Sequence, residues 1–301
     1  MPAGLCLLFA TLLWGSSFIA LKYAIAVYDP NVVIFFRMLT TLLLCSLLYR
    51  YSLRFSYQAG DWRYLLAMSL AEPCLYFMFE GHALEYTSAS QAGVIVACLP
   101  LIVATLAYFI LKERLSKSIV AGFVLCISGS IGLTLLSPSS EQAPNPLLGN
   151  TLEFLAMVCA AFYTISVKRL ATRYSPLALI GMQGLSGSIF FAVFLPFSTL
   201  PDFTQLDTNA LLAVLYLGSV VTLGAYGLYN YAISRVSVLT AAAYSNLVPV
   251  FTLMFSALLL SERLTMAQWS AIALVFVGVV VSQRHVAPAS ETKPALTESQ
   301  V

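Results

Sequence analysis

Residues 99–129 read LPLIVATLAYFILKERLSKSIVAGFVLCISG, and residues 248–278 read VPVFTLMFSALLLSERLTMAQWSAIALVFVG. Each stretch has an apolar run with a proline near its start, then a Glu-Arg-Leu loop, then a second apolar run closing on glycine. Pro100 and Pro249 are 149 positions apart, as are Glu113 and Glu262, and Gly129 and Gly278. Three landmarks kept at one spacing with no gap between them mark one unit written twice.

The 301 residues are 60% hydrophobic and 9% charged, with a mean hydropathy of +0.88. Soluble domains carry about 25% charged residues, so this composition is that of an integral membrane protein. The net charge of +2 is small and the basic residues are scattered between apolar runs, which excludes a nucleic-acid footprint. No cleavable leader is expected, because Met1–Gly4 lacks a basic region and the apolar run to Val27 is long enough to span a bilayer. The six cysteines all fall inside apolar segments with no CxxC pair, and read as buried free thiols.

A span needs about 20 apolar residues, since a helix rises about 1.5 Å per residue through a core of about 30 Å. On that ruler the sequence predicts ten transmembrane helices, at 3–27, 31–50, 62–83, 87–111, 118–137, 149–171, 176–198, 208–233, 237–260 and 265–284. Helices are expected because lipid-exposed backbone must satisfy its own hydrogen bonds, and the runs are too long for barrel strands. The chain divides into a first five-helix repeat (1–137), a polar linker (138–148), a second repeat (149–284) and a cytoplasmic tail (285–301) expected to be disordered.

Lys and Arg near the helix ends set the orientation. With the N-terminus inside, Arg50, Arg54, Arg63, Lys112, Arg114, Lys117, Lys168, Arg169, Arg173, Arg235, Arg284 and Lys293 are cytoplasmic. Only Lys22 and Arg263 fall outside, and Arg37 lies within a helix. Both termini are therefore expected in the cytoplasm. Five helices per repeat then put the second copy upside down relative to the first. The repeat carries a trace of this: Lys112 and Lys117 of the first copy align with Ser261 and Met266 of the second.

Trp14-Gly15-Ser16-Ser17-Phe18 with Lys22, Ala83-Leu84 leading to Thr87-Ser88-Ala89-Ser90, and the duplicated Pro, Glu-Arg-Leu and Gly landmarks give the chain a resemblance. It resembles the EamA-type, ten-helix transporters of the drug/metabolite transporter superfamily, over residues 3–284. The resemblance implies a 5+5 inverted repeat, a central substrate cavity and alternating access. Such transporters move amino acids, metabolites, nucleotide sugars or drugs, often outward. Helix 6 departs from the pattern, with Ala160-Ala161 where helix 1 has Trp14-Gly15.

Candidate substrate-binding residues are the polar groups that apolar helices rarely carry. A carboxylate at mid-membrane costs about 2.5–3.5 kcal/mol on insertion scales, so Glu72, followed by Pro73, reads as a substrate-amine or proton site, or as a buried helix–helix contact. Tyr76 and Glu80 follow it at i+4 and i+8 on the same face. Arg37 reads as the partner of Glu80 or Glu72, or as an anchor for a substrate carboxylate. Trp14, Ser17 and Gln91 in the first half, and Tyr226, Asn230, Tyr244 and Asn246 in the second, complete the set; each also reads as inter-helix glue.

No ATP-binding loop, hydrolase motif or metal-spaced His/Cys set is present, so no cofactor, metal or enzymatic chemistry is expected. The reading is a secondary transporter in the cell membrane, which is the inner membrane if the cell is bacterial. It exports a small metabolite or amino acid, with proton coupling as an option, and its partners are that small molecule and the lipid bilayer. Pairing into a homodimer is left open. The alternative is a cationic-drug efflux pump on the same scaffold, and Arg37 discriminates the two. Paired with Glu80, it leaves Glu72 as an anion suited to cations; unpaired, it favours anionic or zwitterionic cargo.

Overall fold

A chain that buries its backbone in hydrocarbon satisfies it most simply by forming helices, and helices make up the regular structure throughout the described residues. The computed structural model describes residues 1–48, 56–111 and 116–283. Lys112, Glu113, Arg114, Arg50, Arg54, Arg284, Lys293 and the expected tail lie outside the described residues.

In order, the helices are α1 (Ala3–Ile25), α2 (Pro30–Leu48), α3 (Asp61–Ser69), α4 (Tyr76–Tyr86), α5 (Ala89–Ile95), α6 (Leu99–Leu111) and α7 (Lys117–Leu135). There follow α8 (Pro146–Leu170), α9 (Pro176–Ala192), α10 (Thr208–Tyr216), α11 (Tyr226–Ile233), α12 (Val238–Tyr244), α13 (Leu247–Leu259) and α14 (Met266–Gln283). Eight helical stretches among the described residues are long and apolar enough to cross a membrane: 3–25, 30–48, 89–109, 117–135, 146–170, 176–197, 208–233 and 238–259. The protein is an all-helical, multi-pass membrane protein. Two further expected spans depart from that standard. The stretch 61–86 carries carboxylates and a break, and the apolar part of α14 is shorter, at Met266–Ser282.

The departures from uniform helix have local causes. Between α3 and α4 the backbone makes a π-helical turn (Leu70–Leu75) in which Glu72 is extended, with φ −148° and ψ 119°. Pro73 has no N–H to give to the helical ladder. A second π-helical segment, Leu217–Ala225, joins α10 to α11. The expected helix 87–111 narrows to a 3₁₀ turn at Val96–Cys98, and the expected helix 237–260 turns at Ser245-Asn246. α8 begins three residues ahead of expectation, inside the expected linker. Pro146 opens it, and the Asn145 side chain accepts from the Leu148 amide at 3.1 Å.

Small residues let the helices close on one another. On α14, a β-carbon at Gly278 would lie 2.7 Å from the Cys126 nitrogen and the Gly122 oxygen of α7. On α9, Gly184 closes in the same way on the Leu42 backbone and Gly187 on Met38 and Pro73.

Polar closures tie the two ends of the bundle. At one end, Lys22 donates to the carbonyls of Leu84 (2.5 Å), Thr87 (2.9 Å) and Gln142 (2.7 Å). It is thus folded onto the end of α4 rather than extended toward water. The Glu262 carboxylate accepts from the amides of Ala89 (3.1 Å) and Ser90 (3.0 Å), capping α5. At the opposite end, Lys168 donates to the carbonyls of Ile233 (2.7 Å) and Val236, and Arg173 to Asp61 (2.5 Å) and Gln58.

Candidate functional site

The break at Glu72 places polar groups in the middle of the bundle. A cavity of about 40 Å³ lies there, lined by Trp14, Ser17 and Phe18 of α1, Arg37 of α2, and Glu72, Tyr76 and Glu80 around the break. From the later helices come Met157, Ala160, Tyr163 and Thr164 of α8, and Tyr226 and Tyr229 of α11. Ligand pockets run to about 300–1,000 Å³, so in this conformation the space admits water rather than a metabolite.

Arg37 is 1% exposed and held on several sides. Its Nε donates to Thr222 Oγ1 at 2.9 Å, and its guanidinium carbon sits 4.0 Å from the centre of the Phe77 ring. Its Nη1 lies 3.8 Å from Glu80 Oε2, an ion pair without a direct hydrogen bond. Thr222 is itself fixed by donating to the Leu217 carbonyl (2.8 Å) within the π-helical segment. Gly218 packs so closely that a β-carbon there would meet the Arg37 carbonyl oxygen at 2.6 Å. The α10–α11 irregularity is thus what receives the arginine.

The two carboxylates are separately held. Tyr76 donates to Glu80 Oε1 at 2.8 Å, and Tyr226 donates to Glu72 Oε1. Among the described residues Glu72 has no ion-pair partner. Aromatic rings stand around it. The Trp14 ring centre is 5.3 Å from that of Tyr226 and 5.0 Å from that of Tyr229, and Tyr163 stands 6.0 Å from Tyr226. The Trp14 Nε1–H is buried without a hydrogen-bond partner.

Of the candidate residues, Trp14, Ser17, Arg37, Glu72, Tyr76, Glu80 and Tyr226 are brought together at this cavity. Ser17 lines it with its hydroxyl already donated to the Trp14 carbonyl at 2.7 Å. The others stand outside it. Gln91 accepts from Asn150 Nδ2 at 3.0 Å, and Asn230 accepts from the Tyr163 hydroxyl at 2.8 Å. Tyr244 and Asn246 flank the Ser245 turn, and it is Ser245 that reaches the lining. Thr222, Tyr163 and Glu153 were not among the candidates. Glu153 could have been found by the rule that picked out Glu72, a carboxylate in an apolar run; starting helix 6 at 149 left it near the interface instead of two turns deep.

An all-helical membrane bundle with a closed, charged and aromatic cavity at its centre is the architecture of a membrane transporter. Comparison with known proteins gives the family: residues 1–135 and 147–283 both match the EamA-like transporter family, and the chain belongs to it. It is 27% identical to "Uncharacterized transporter YetK" of Bacillus subtilis (strain 168), over 76% of this chain and 72% of that one. It is 24% identical to "Uncharacterized transporter YcxC" of the same organism, over 93% and 92%. A solved crystal structure, 20% identical, superposes with a TM-score of 0.67 over 93% of this chain and 96% of that chain, a likeness of fold. The protein is a transporter of the cell membrane and not an enzyme.

Proposed function

We propose that this transporter exports small organic cations, protonated amines among them, with Glu72 as the counter-charge and an inward proton flow as the drive. The observation that carries the reading is the pairing of Arg37 with Glu80, which leaves Glu72 without a cation inside a ring of aromatic side chains. Ammonium groups are held by carboxylates and aromatic faces together, and desolvated cation–π contacts contribute about 2 kcal/mol. A second cargo, the zwitterionic amino acid, keeps one supporting feature: Arg37 Nη1 makes no hydrogen bond, which leaves its N–H groups to donate to a substrate carboxylate.

The machine proposed for this task is a ten-helix, 5+5 inverted repeat with both termini cytoplasmic, in the inner membrane where the cell is bacterial. Repeat-related contacts support it. Lys22 closes on the carbonyls of residues 84 and 87, and Lys168 on those of 233 and 236, each 149 positions on. Ser88 caps α5 as Ser237 caps α12. Among the described residues, contacts at the helix ends also join segments expected on the same side: Tyr28 with Asp207, and Lys22 with Gln142, at the outer end, and Arg173 with Asp61 at the cytoplasmic end.

Proteoliposomes test the reading. With a pH gradient imposed, the wild type is expected to accumulate the lipophilic cation tetraphenylphosphonium or a primary-amine metabolite above empty liposomes, and Glu72→Gln to lose that uptake. Trp14→Phe removes no hydrogen bond, so the fold should hold while cation affinity falls several-fold, as loss of about 1 kcal/mol of cation–π attraction requires. Uptake of anionic substrates in preference to amines, or no uptake of either, would sink the proposal.

A further inference from the structure

Glu153 is the charged side chain the site has not yet used. It is fully buried on α8, and neither carboxylate oxygen has a hydrogen-bond partner among the described residues. Asn150, Glu153, Met157, Ala160 and Thr164 recur at intervals of three and four and share one face of α8. Met157, Ala160 and Thr164 line the central cavity. At the other end of the face, Asn150 donates to Gln91 Oε1 (3.0 Å) and Thr134 Oγ1 (2.8 Å) and accepts from Thr87 Oγ1 (2.6 Å). Lys22 holds the Thr87 carbonyl at the proposed outer end. Glu153 stands between the cavity and that polar cluster.

The groups in electrostatic reach of Glu153 are Glu80 and Tyr76 of α4. The other elements packed on α8 bring Glu72 from the π-helical turn, Cys98 from the 3₁₀ turn, Tyr226 and Tyr229 from α11 and Tyr244 from α12. α3 carries Asp61, Arg63 and Tyr64 at the far end, α7 carries Lys117 and Cys126, and α6 carries Tyr108. His82 and Glu85 pair with each other at the mouth. Among the described residues no cation pairs with Glu153. The cavity region thus holds three buried carboxylates and one guanidinium, and that guanidinium stands against Glu80. A buried ion without a partner costs several kcal/mol, so Glu153 must either hold a proton or meet a cation. A metal ion would need several further oxygen ligands, and the described residues hold no group of acidic, His or Cys side chains able to bind one. The proton needs none.

We infer that Glu153 is the proton carrier of the transport cycle, exchanging with the outer side through the Asn150 cluster, while Glu72 holds the substrate. This rests on the transporter reading above. In the step itself the O–H bond of the Glu153 acid breaks, the proton passes to a water admitted to the widened cavity, and the carboxylate left behind takes the next proton from the outer side.

The test uses full-length protein in lipid. Infrared difference spectra across a pH step report the carbonyl stretch of protonated carboxyls without any substrate. The wild type is expected to show a titrating band that Glu153→Gln lacks. In proteoliposomes, tetraphenylphosphonium accumulation driven by a pH gradient should fall about tenfold in Glu153→Gln, the equivalent of 1.4 kcal/mol. Probe exchange without a gradient should persist. Glu153→Asp keeps the acid and guards against a folding defect; it should retain a titrating band and recover driven uptake. A band unchanged in Glu153→Gln, or driven uptake equal to wild type, overturns the role of Glu153 alone. A wild type with a Glu153-dependent band that moves no probe overturns the transport reading, and the carrier role with it.

Discussion

Arg37 of α2 gathers three side chains on one guanidinium: Thr222 of the π-helical segment between α10 and α11, and Phe77 and Glu80 of α4. Removing one partner of a buried ion pair leaves the other charge uncompensated, at a cost of about 3–5 kcal/mol. Arg37→Met should therefore lower the unfolding temperature of the purified protein markedly. Arg37→Met combined with Glu80→Gln should recover most of the loss, since glutamine can still accept from Tyr76. If the double variant is no more stable than the single, the pair is not what Arg37 contributes. These charges were legible in the sequence because apolar helices carry few of them. Their pairing was not, since 43 positions separate Arg37 from Glu80 and either glutamate was in reach. Thr222 gave no signal at all: a threonine in an apolar run usually bonds its own helix, as this one does at the Leu217 carbonyl, and the same oxygen also accepts from Arg37.

At the scale of elements, the long helices could be read from apolar length, and their breaks only where chemistry marks them. Pro73 announced the interruption beside Glu72. The 3₁₀ turn at Val96–Cys98 begins four residues before Pro100, which gives no N–H to the Val96 carbonyl and crowds it with its ring. Packing is where glycines of like appearance differ. A β-carbon on Gly278 would press on the α7 backbone at 2.7 Å, whereas one on Gly132 would meet the Ala271 β-carbon at an ordinary 3.7 Å. Backbone cannot yield as a side chain can, so Gly278→Ala should destabilise the α7–α14 contact by about 1–3 kcal/mol. Gly132→Ala should be neutral or gain up to about 1 kcal/mol from helix propensity. Thermal unfolding of the two variants in the same detergent checks the contrast, and equal shifts would refute it.

For the whole molecule, the duplication was legible because three landmarks keep one spacing, and the cavity shows what the copies do differently. Positions related by the repeat carry Glu80 and Tyr229, Glu72 and Val221, and Arg37 and Gln183, so these three charges of the first copy have neutral counterparts in the second, which brings Glu153 instead. In the proposed cycle, the orientation of that asymmetry across the membrane decides which side loads a proton, and it can be measured directly. All six native cysteines are buried, so the wild-type chain is its own unreactive background for a membrane-impermeant maleimide. Gln142, Thr172, Thr204 and Arg235 are exposed and lie in four different connections between helices. In intact cells, Gln142→Cys and Thr204→Cys should label, while Thr172→Cys and Arg235→Cys should label only after permeabilisation. Labelling of either of the last two in intact cells would reverse the assignment of that connection. It would also move the Asn150 cluster to the cytoplasmic side, which turns the proposed proton entry into an exit.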